Sequence, residues 1–172
     1  MFNVNTPALL AISYFFHLVA TVVWIGGLAA MALVVWPGLR HAIRDDVAFA
    51  HTIESIEARF RPLSGLSLAV LIITGLVQMT ASKNYNGFLN LSNLWAQAIF
   101  LKHLAIIGMI AVGVAMSFGV QPALQRNAML AAHGVASEAE AVALRKRLDR
   151  LARVNLILGV VVLVFTAIAR AQ

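Results

Sequence analysis

Polar positions in this chain fall into stripes, and the stripes repeat at helical spacing. In the first apolar stretch Ser13, His17, Thr21, Trp24 and Met31 follow one another at steps of three or four residues or their sums. Ser64, Ser67, Leu71, Thr74 and Gln78 do the same in the second, and Asn155, Gly159, Val162, Thr166 and Arg170 in the last. This is the period of an α-helix with one less apolar face. Four apolar stretches emerge, at about 7–36, 62–81, 94–120 and 154–170. Thr6-Pro7 reads as N-cap and first helical residue of span 1, and Pro37-Gly38 as its end. Span 3 is expected to stop before Pro122. Each stretch is long enough to cross a hydrocarbon core, or becomes so with a flanking helix.

The polar links are also periodic. Ile43, Val47, Ala50, Ile53 or Ile56, and then Phe60 space the first link as an amphipathic helix, lying on the membrane or continuing into span 2. In the third link Ser137-Glu138-Ala139-Glu140 is a capping box, and a basic helix follows that runs into span 4. The turn-rich link between spans 2 and 3 ends at Asn90-Leu91-Ser92-Asn93, where an asparagine can cap the next helix. The fold class is therefore all-α. The chain, 1–172, is read as one integral membrane domain: a four-helix transmembrane bundle with amphipathic cytoplasmic extensions.

Composition agrees: 61% of the residues are hydrophobic, 12% are charged, and the mean hydropathy is +0.87. Soluble domains carry about 25% charged residues. The net charge of +6 sits in segments that flank the spans. It is read as a topology signal and a contact to anionic lipid, with no nucleic-acid partner. Ten of the thirteen Lys and Arg residues lie in the first and third links. The positive-inside rule places those links in the cytoplasm and both termini outside, in a bacterial-type inner membrane. The N-terminus has neither a basic leader region nor a cleavage site, so span 1 is kept as mature structure. With no cysteine, disulfides, thiolate metal sites and covalent haem attachment are excluded. No Gly-rich phosphate loop, nucleophile triad or paired carboxylate lies in the spans, which disfavours hydrolytic chemistry.

The chemistry that remains is in the spans. His17 is an ionisable group in hydrocarbon, where polar side chains are costly and tend to be functional. In the proposed topology His17 and His103 enter from the same side. Both lie roughly 13–15 Å below the outer ends of their helices at 1.5 Å per residue. Two imidazoles at one depth suit bis-His ligation of haem b, with His17 and His103 as axial ligands. Trp24 and Gly27 would wall the pocket, Gln78 would stand beside His17, and Arg170 would meet a propionate. Lys102 is the candidate for proton or substrate chemistry. The same histidines with Met79, Met109 or Met31 could instead hold a copper ion, since imidazole and thioether suit that metal. Met31 lies deeper and would mark a later point on a path. Against these stand simpler roles: His17 hydrogen-bonding across the bundle to Gln78 or Ser13, methionines packing, and Lys102 snorkelling to the surface.

His17-Leu18-Val19 followed by Trp24-Ile25-Gly26-Gly27-Leu28 resembles the first span of CopD-type copper-resistance membrane proteins. Arg59-Phe60-Arg61-Pro62-Leu63 leading to Thr74-Gly75-Leu76 resembles their next span, and Leu101-Lys102 fits the head of the third. The chain is also similar to HemJ-type four-span oxidases, which have a first-span His seven residues before a Trp and a Lys early in span 3. The first resemblance implies copper handling. The second implies haem-linked redox work, although Lys102-His103 departs from the usual His-x-Lys order. Three functions are thus expected: a haem-b electron-transfer protein linked to quinol or porphyrinogen, a copper transport or tolerance protein, and a non-catalytic accessory subunit. Membrane lipid, a quinone or larger respiratory-type complex, and a second copy of the chain are the partners considered.

Overall fold

A computed structural model describes residues 7–43, 46–85, 87, 91–135 and 137–172, with the side chains of Asp46, Val47, Ala50 and Ala132 left aside. The expected cap Thr6, the link residue Asn90 and the stripe position Val47 lie outside what is described. Four helices are long and apolar enough to cross a membrane, and among the described residues there is no strand. They are α1 (Pro7–Ala42), α2 (Asp46–Thr80), α3 (Leu94–Ala131) and α4 (Glu138–Arg170). With four such helices among its described residues, the protein is an integral membrane protein.

Two helix ends differ from expectation for one reason. α1 does not stop at Pro37-Gly38 but continues to Ala42, and α3 runs through Pro122. In each case a π-helical turn stands directly before the proline: Met31–Val35 ahead of Trp36-Pro37, and Ala115–Val120 ahead of Gln121-Pro122. A proline inside an α-helix removes one hydrogen bond and strikes the carbonyl four residues back. The wider π turn shifts that register, and the helix passes on. A third π turn, Val22–Gly26, carries Trp24. α2 likewise runs through Pro62, so the amphipathic first link is a continuation of the second span and not a separate surface helix.

Capping follows the sequence. Asn93 accepts a bond from the Ala96 amide at 2.7 Å, and Ser137 one from the Glu140 amide at 3.3 Å. The Glu140 side chain, expected to close the box, instead accepts a bond from Asn127.

Packing is by pairs. The first half of α1 lies on α2, and the first half of α3 lies on α4; the middle of α1 joins the pairs by touching α4. Toward the end that carries the basic links, the last part of α3, from Gln121 onward, meets both α2 and α4. Here Met31, Trp36, Phe49, Ile53, Met116, Val120, Leu124 and Leu148 form the larger core. Arg40 pairs with Asp149 there and also donates to the Arg145 carbonyl at 3.2 Å. A smaller core of Trp24, Ile25, Ala105, Met109 and Val162 sits nearer the middle. Glycine sets two of the approaches. A Cβ on Gly27 would overlap the Phe60 ring, and one on Gly159 would lie 3.4 Å from the Ile25 Cγ2. Small residues at such crossings let helices pack closely where no hydrophobic force draws them together.

Candidate functional site

Toward the end that carries the termini, α1 and α2 share a polar cluster in otherwise apolar surroundings. His17 Nδ1 lies 2.8 Å from Thr74 Oγ1. The Thr74 hydroxyl has one proton, which it donates to the Val70 carbonyl at 2.6 Å. Nδ1–H is therefore the donor to Thr74, and Nε2 carries the imidazole lone pair. Around this bond, Ser13 donates to the Thr74 carbonyl at 3.3 Å. Gln78 donates to the Ser13 carbonyl at 3.3 Å and to its hydroxyl at 3.4 Å. Thr21 ties down the same turn by donating to the His17 carbonyl at 2.7 Å. Ser13 and Thr74 are buried and His17 is half-buried. The His17 Cε1 edge passes Gly75, where an added Cβ would stand 3.6 Å away.

The partner of His17 is thus Thr74, rather than Gln78, Ser13 or His103. Thr74 already belonged to the second stripe, but nothing in the pattern singled it out among the stripe's members. His103 lies on the exposed face of α3, its Nδ1 bonded to the Ile99 carbonyl of its own helix at 2.7 Å. The fold does not set it facing His17. Equal depth is a property of position along the axis, and the rotation of α3 turns this ring outward. Lys102, one residue earlier, is half-buried. Lys102 lies near the head of α3 and Arg170 at the end of α4, both toward the end of the bundle that carries the termini. The Arg170 guanidinium stacks over the Tyr14 ring at 3.9 Å. The space beside Gly27 is taken by Phe60 and not left for a macrocycle. Bis-His haem ligation within one chain therefore lacks both its second imidazole and its expected wall.

Below His17, a cavity of about 310 Å³ opens between α2 and α3, with α1 and α4 behind it. Trp24 lies on its wall, as do Met31, Met109 and Met116. All four are at least nine-tenths buried, and Met109 is 2% exposed. All three π turns bring residues here: Trp24 from the first in the chain, Met31 from the second and Met116 from the last. π turns inside α-helices are frequent at functional sites. At the end toward the basic links the cavity reaches Glu57, which accepts a hydrogen bond from Gln121. Met79, also considered a ligand, is not among the residues that line it. Among the described residues no three His, Cys, Asp or Glu side chains cluster as a metal site. The thioether sulfurs on the cavity wall are those of Met31, Met109 and Met116.

No match to a curated protein or to a solved structure was found. The model of the family described as copper resistance protein D matches residues 54–169, from the second helix to the end of the fourth. That is two-thirds of the sequence, and the chain belongs to the copper resistance protein D family.

Proposed function

We propose that the protein handles copper in the bacterial inner membrane, with His17 as the imidazole ligand and Met109, Met31 and Met116 as thioether ligands deeper in the bundle. The observation that carries this reading is the Thr74–His17 bond, which fixes Nε2 as the free lone pair. A second hydrogen bond of this kind is what orients metal-binding histidines in general. Below it, three buried methionine side chains line one cavity. Imidazole and thioether together favour copper over magnesium, calcium or manganese. Lys102 and Arg170 make the His17 end positive, which destabilises a resident cation there. That suits passage along a path rather than storage at a fixed centre. With the basic links in the cytoplasm, His17 is the outer station and the methionines are the inner ones.

Competition between the purified protein in nanodiscs and a chromogenic Cu(I) chelator tests this. The reading expects Cu(I) to be taken from the chelator, with affinity lost in His17→Leu and lowered in Met109→Leu. It is overturned if Cu(I) partitions no better than into protein-free nanodiscs. A Soret band in the purified protein would overturn it in favour of haem.

A further inference from the structure

We propose that the groove between α2 and α3 seats one phosphatidylethanolamine-type lipid, with its headgroup at the end that carries the basic links and an acyl chain in the cavity. The lining changes character along its length. Glu57, Arg61, Ser64, Ser117 and Gln121 lie toward that end, whereas the wall from Leu68 and Gly113 to Met109 and Trp24 is apolar or aromatic. Glu57 uses Oε2 to accept the bond from Gln121. Among the described residues Glu57 Oε1, the Arg61 guanidinium and the Ser64 and Ser117 hydroxyls have no hydrogen-bond partner, and no carboxylate stands within 4 Å of Arg61. None of these groups is sealed inside the protein. Arg61 is exposed, and the three oxygens keep accessible surface on the groove that their residues line.

Their order along the axis is that of a phospholipid in a bilayer. Arg61 precedes Pro62, where the apolar span begins. A rise of 1.5 Å per residue sets Glu57 about 6 Å outside Arg61 and Ser64 about 4.5 Å inside it. Inward from the surface, the groove offers a carboxylate, a guanidinium, hydroxyls and then an apolar slot. In the same direction phosphatidylethanolamine presents an ammonium, a phosphate, ester carbonyls and acyl chains. The guanidinium fork suits the phosphate, Glu57 Oε1 accepts from the ammonium, and the serines donate to the esters. Glu57 and Arg61 are the only charged residues on the described lining, so the groove matches a zwitterion. An anionic headgroup leaves the carboxylate unanswered, and the quaternary ammonium of phosphatidylcholine has no N–H to give it. Phe118 is 78% exposed and Val114 51%, on the rim of an apolar helix, so the cavity opens into hydrocarbon. A Cβ built on Gly65 or Gly113, from opposite helices, would meet nothing within 4 Å, which leaves the slot for a chain. The inference does not rest on copper.

Native mass spectrometry of the full chain in detergent, titrated with dioleoyl phosphatidylethanolamine, phosphatidylcholine or phosphatidylglycerol, tests it. One phosphatidylethanolamine per chain is expected, held about tenfold more tightly than either other lipid, the gain from one charged hydrogen bond. Glu57→Gln still accepts from Gln121 but is neutral, and should erase the preference over phosphatidylcholine. Arg61→Gln should weaken all three lipids about tenfold. Gly113→Phe fills the slot and should abolish retention of all three. If Glu57→Gln does not fold, stepwise methylation of the headgroup amine asks the same question of the wild type, and affinity should fall as N–H donors are removed. The proposal is overturned if wild type holds phosphatidylethanolamine no more tightly than phosphatidylcholine, or if Glu57→Gln keeps the preference. It is overturned equally if Gly113→Phe retains lipid like wild type, since the lipid then sits elsewhere.

Discussion

Thr74 Oγ1 stands 2.8 Å from His17 Nδ1, and its own proton is committed to the Val70 carbonyl. This relationship decides which nitrogen of the ring is free. It also explains how an imidazole is tolerated in an apolar span: one nitrogen is satisfied within the fold, and the other keeps its lone pair.

Replacing Thr74 by valine keeps the shape and removes the acceptor. The Nδ1–H of His17 is then unmatched, which costs about 1–3 kcal/mol. Thr74→Val should melt earlier in detergent, and Thr74→Ser, which keeps the hydroxyl, should recover most of the loss. Under the copper reading, Thr74→Val also weakens Cu(I) binding about tenfold or more, because the ring is no longer held in one tautomer. Chelator competition on the three proteins checks this.

Met109 separates packing from ligation. Its side chain is among the most buried in the protein and touches the face of Gly159. Met109→Ala leaves a cavity and should cost about 2–5 kcal/mol. Met109→Leu conserves volume and should cost under about 1.5 kcal/mol. The leucine variant is the informative one. A ligand role predicts near-normal melting with lowered Cu(I) affinity, whereas a packing role leaves both unchanged.

The stripes made the fold legible. Ser13, His17, Thr74 and Gln78 were all assigned to inward faces, and they meet as one cluster. The caps Asn93 and Ser137 were legible too, because a capping side chain acts within its own turn. What failed was the step from depth to contact. His17 and His103 were matched by distance along their axes, but contact also needs rotation, and rotation is set by which helices pair. The prolines misled for a related reason. Pro37 and Pro122 end an α-helix in its ordinary register, but a π turn ahead of each changes that register. Nothing in Met31–Val35 or Ala115–Val120 announces a π turn to a pattern of period 3.6. The methionine-lined cavity was legible only as separate residues, since it depends on four helices at once.

Gly27 tests the close approach of α1 to α2. The far end of the Phe60 ring covers it. An alanine there can be met by a small rotation of that half-buried ring, so Gly27→Ala should be nearly neutral. Gly27→Leu has no such escape and should cost about 1–3 kcal/mol through overpacking. If the contact is as described, Phe60→Ala should restore much of the stability of Gly27→Leu, although each change alone destabilises. A double-mutant cycle by thermal unfolding reads that coupling directly.

His103 provides the sharpest contrast with His17. Its ring is exposed on α3, and its one bond, to the Ile99 carbonyl, reaches a group already used by the helix ladder. On the lipid side of a span an imidazole gains nothing from the hydrocarbon, so leucine there removes a liability. His103→Leu should therefore melt at or above the wild-type temperature and bind Cu(I) as wild type does. His17→Leu removes the donor to Thr74 and the free Nε2 together, and should lose both stability and Cu(I) affinity. If His103→Leu instead lost affinity to the same degree, the two imidazoles would have to meet across a pair of chains. Size measurement of the copper-loaded protein in detergent, set beside that of His103→Leu, would then show a dimer in one and a monomer in the other.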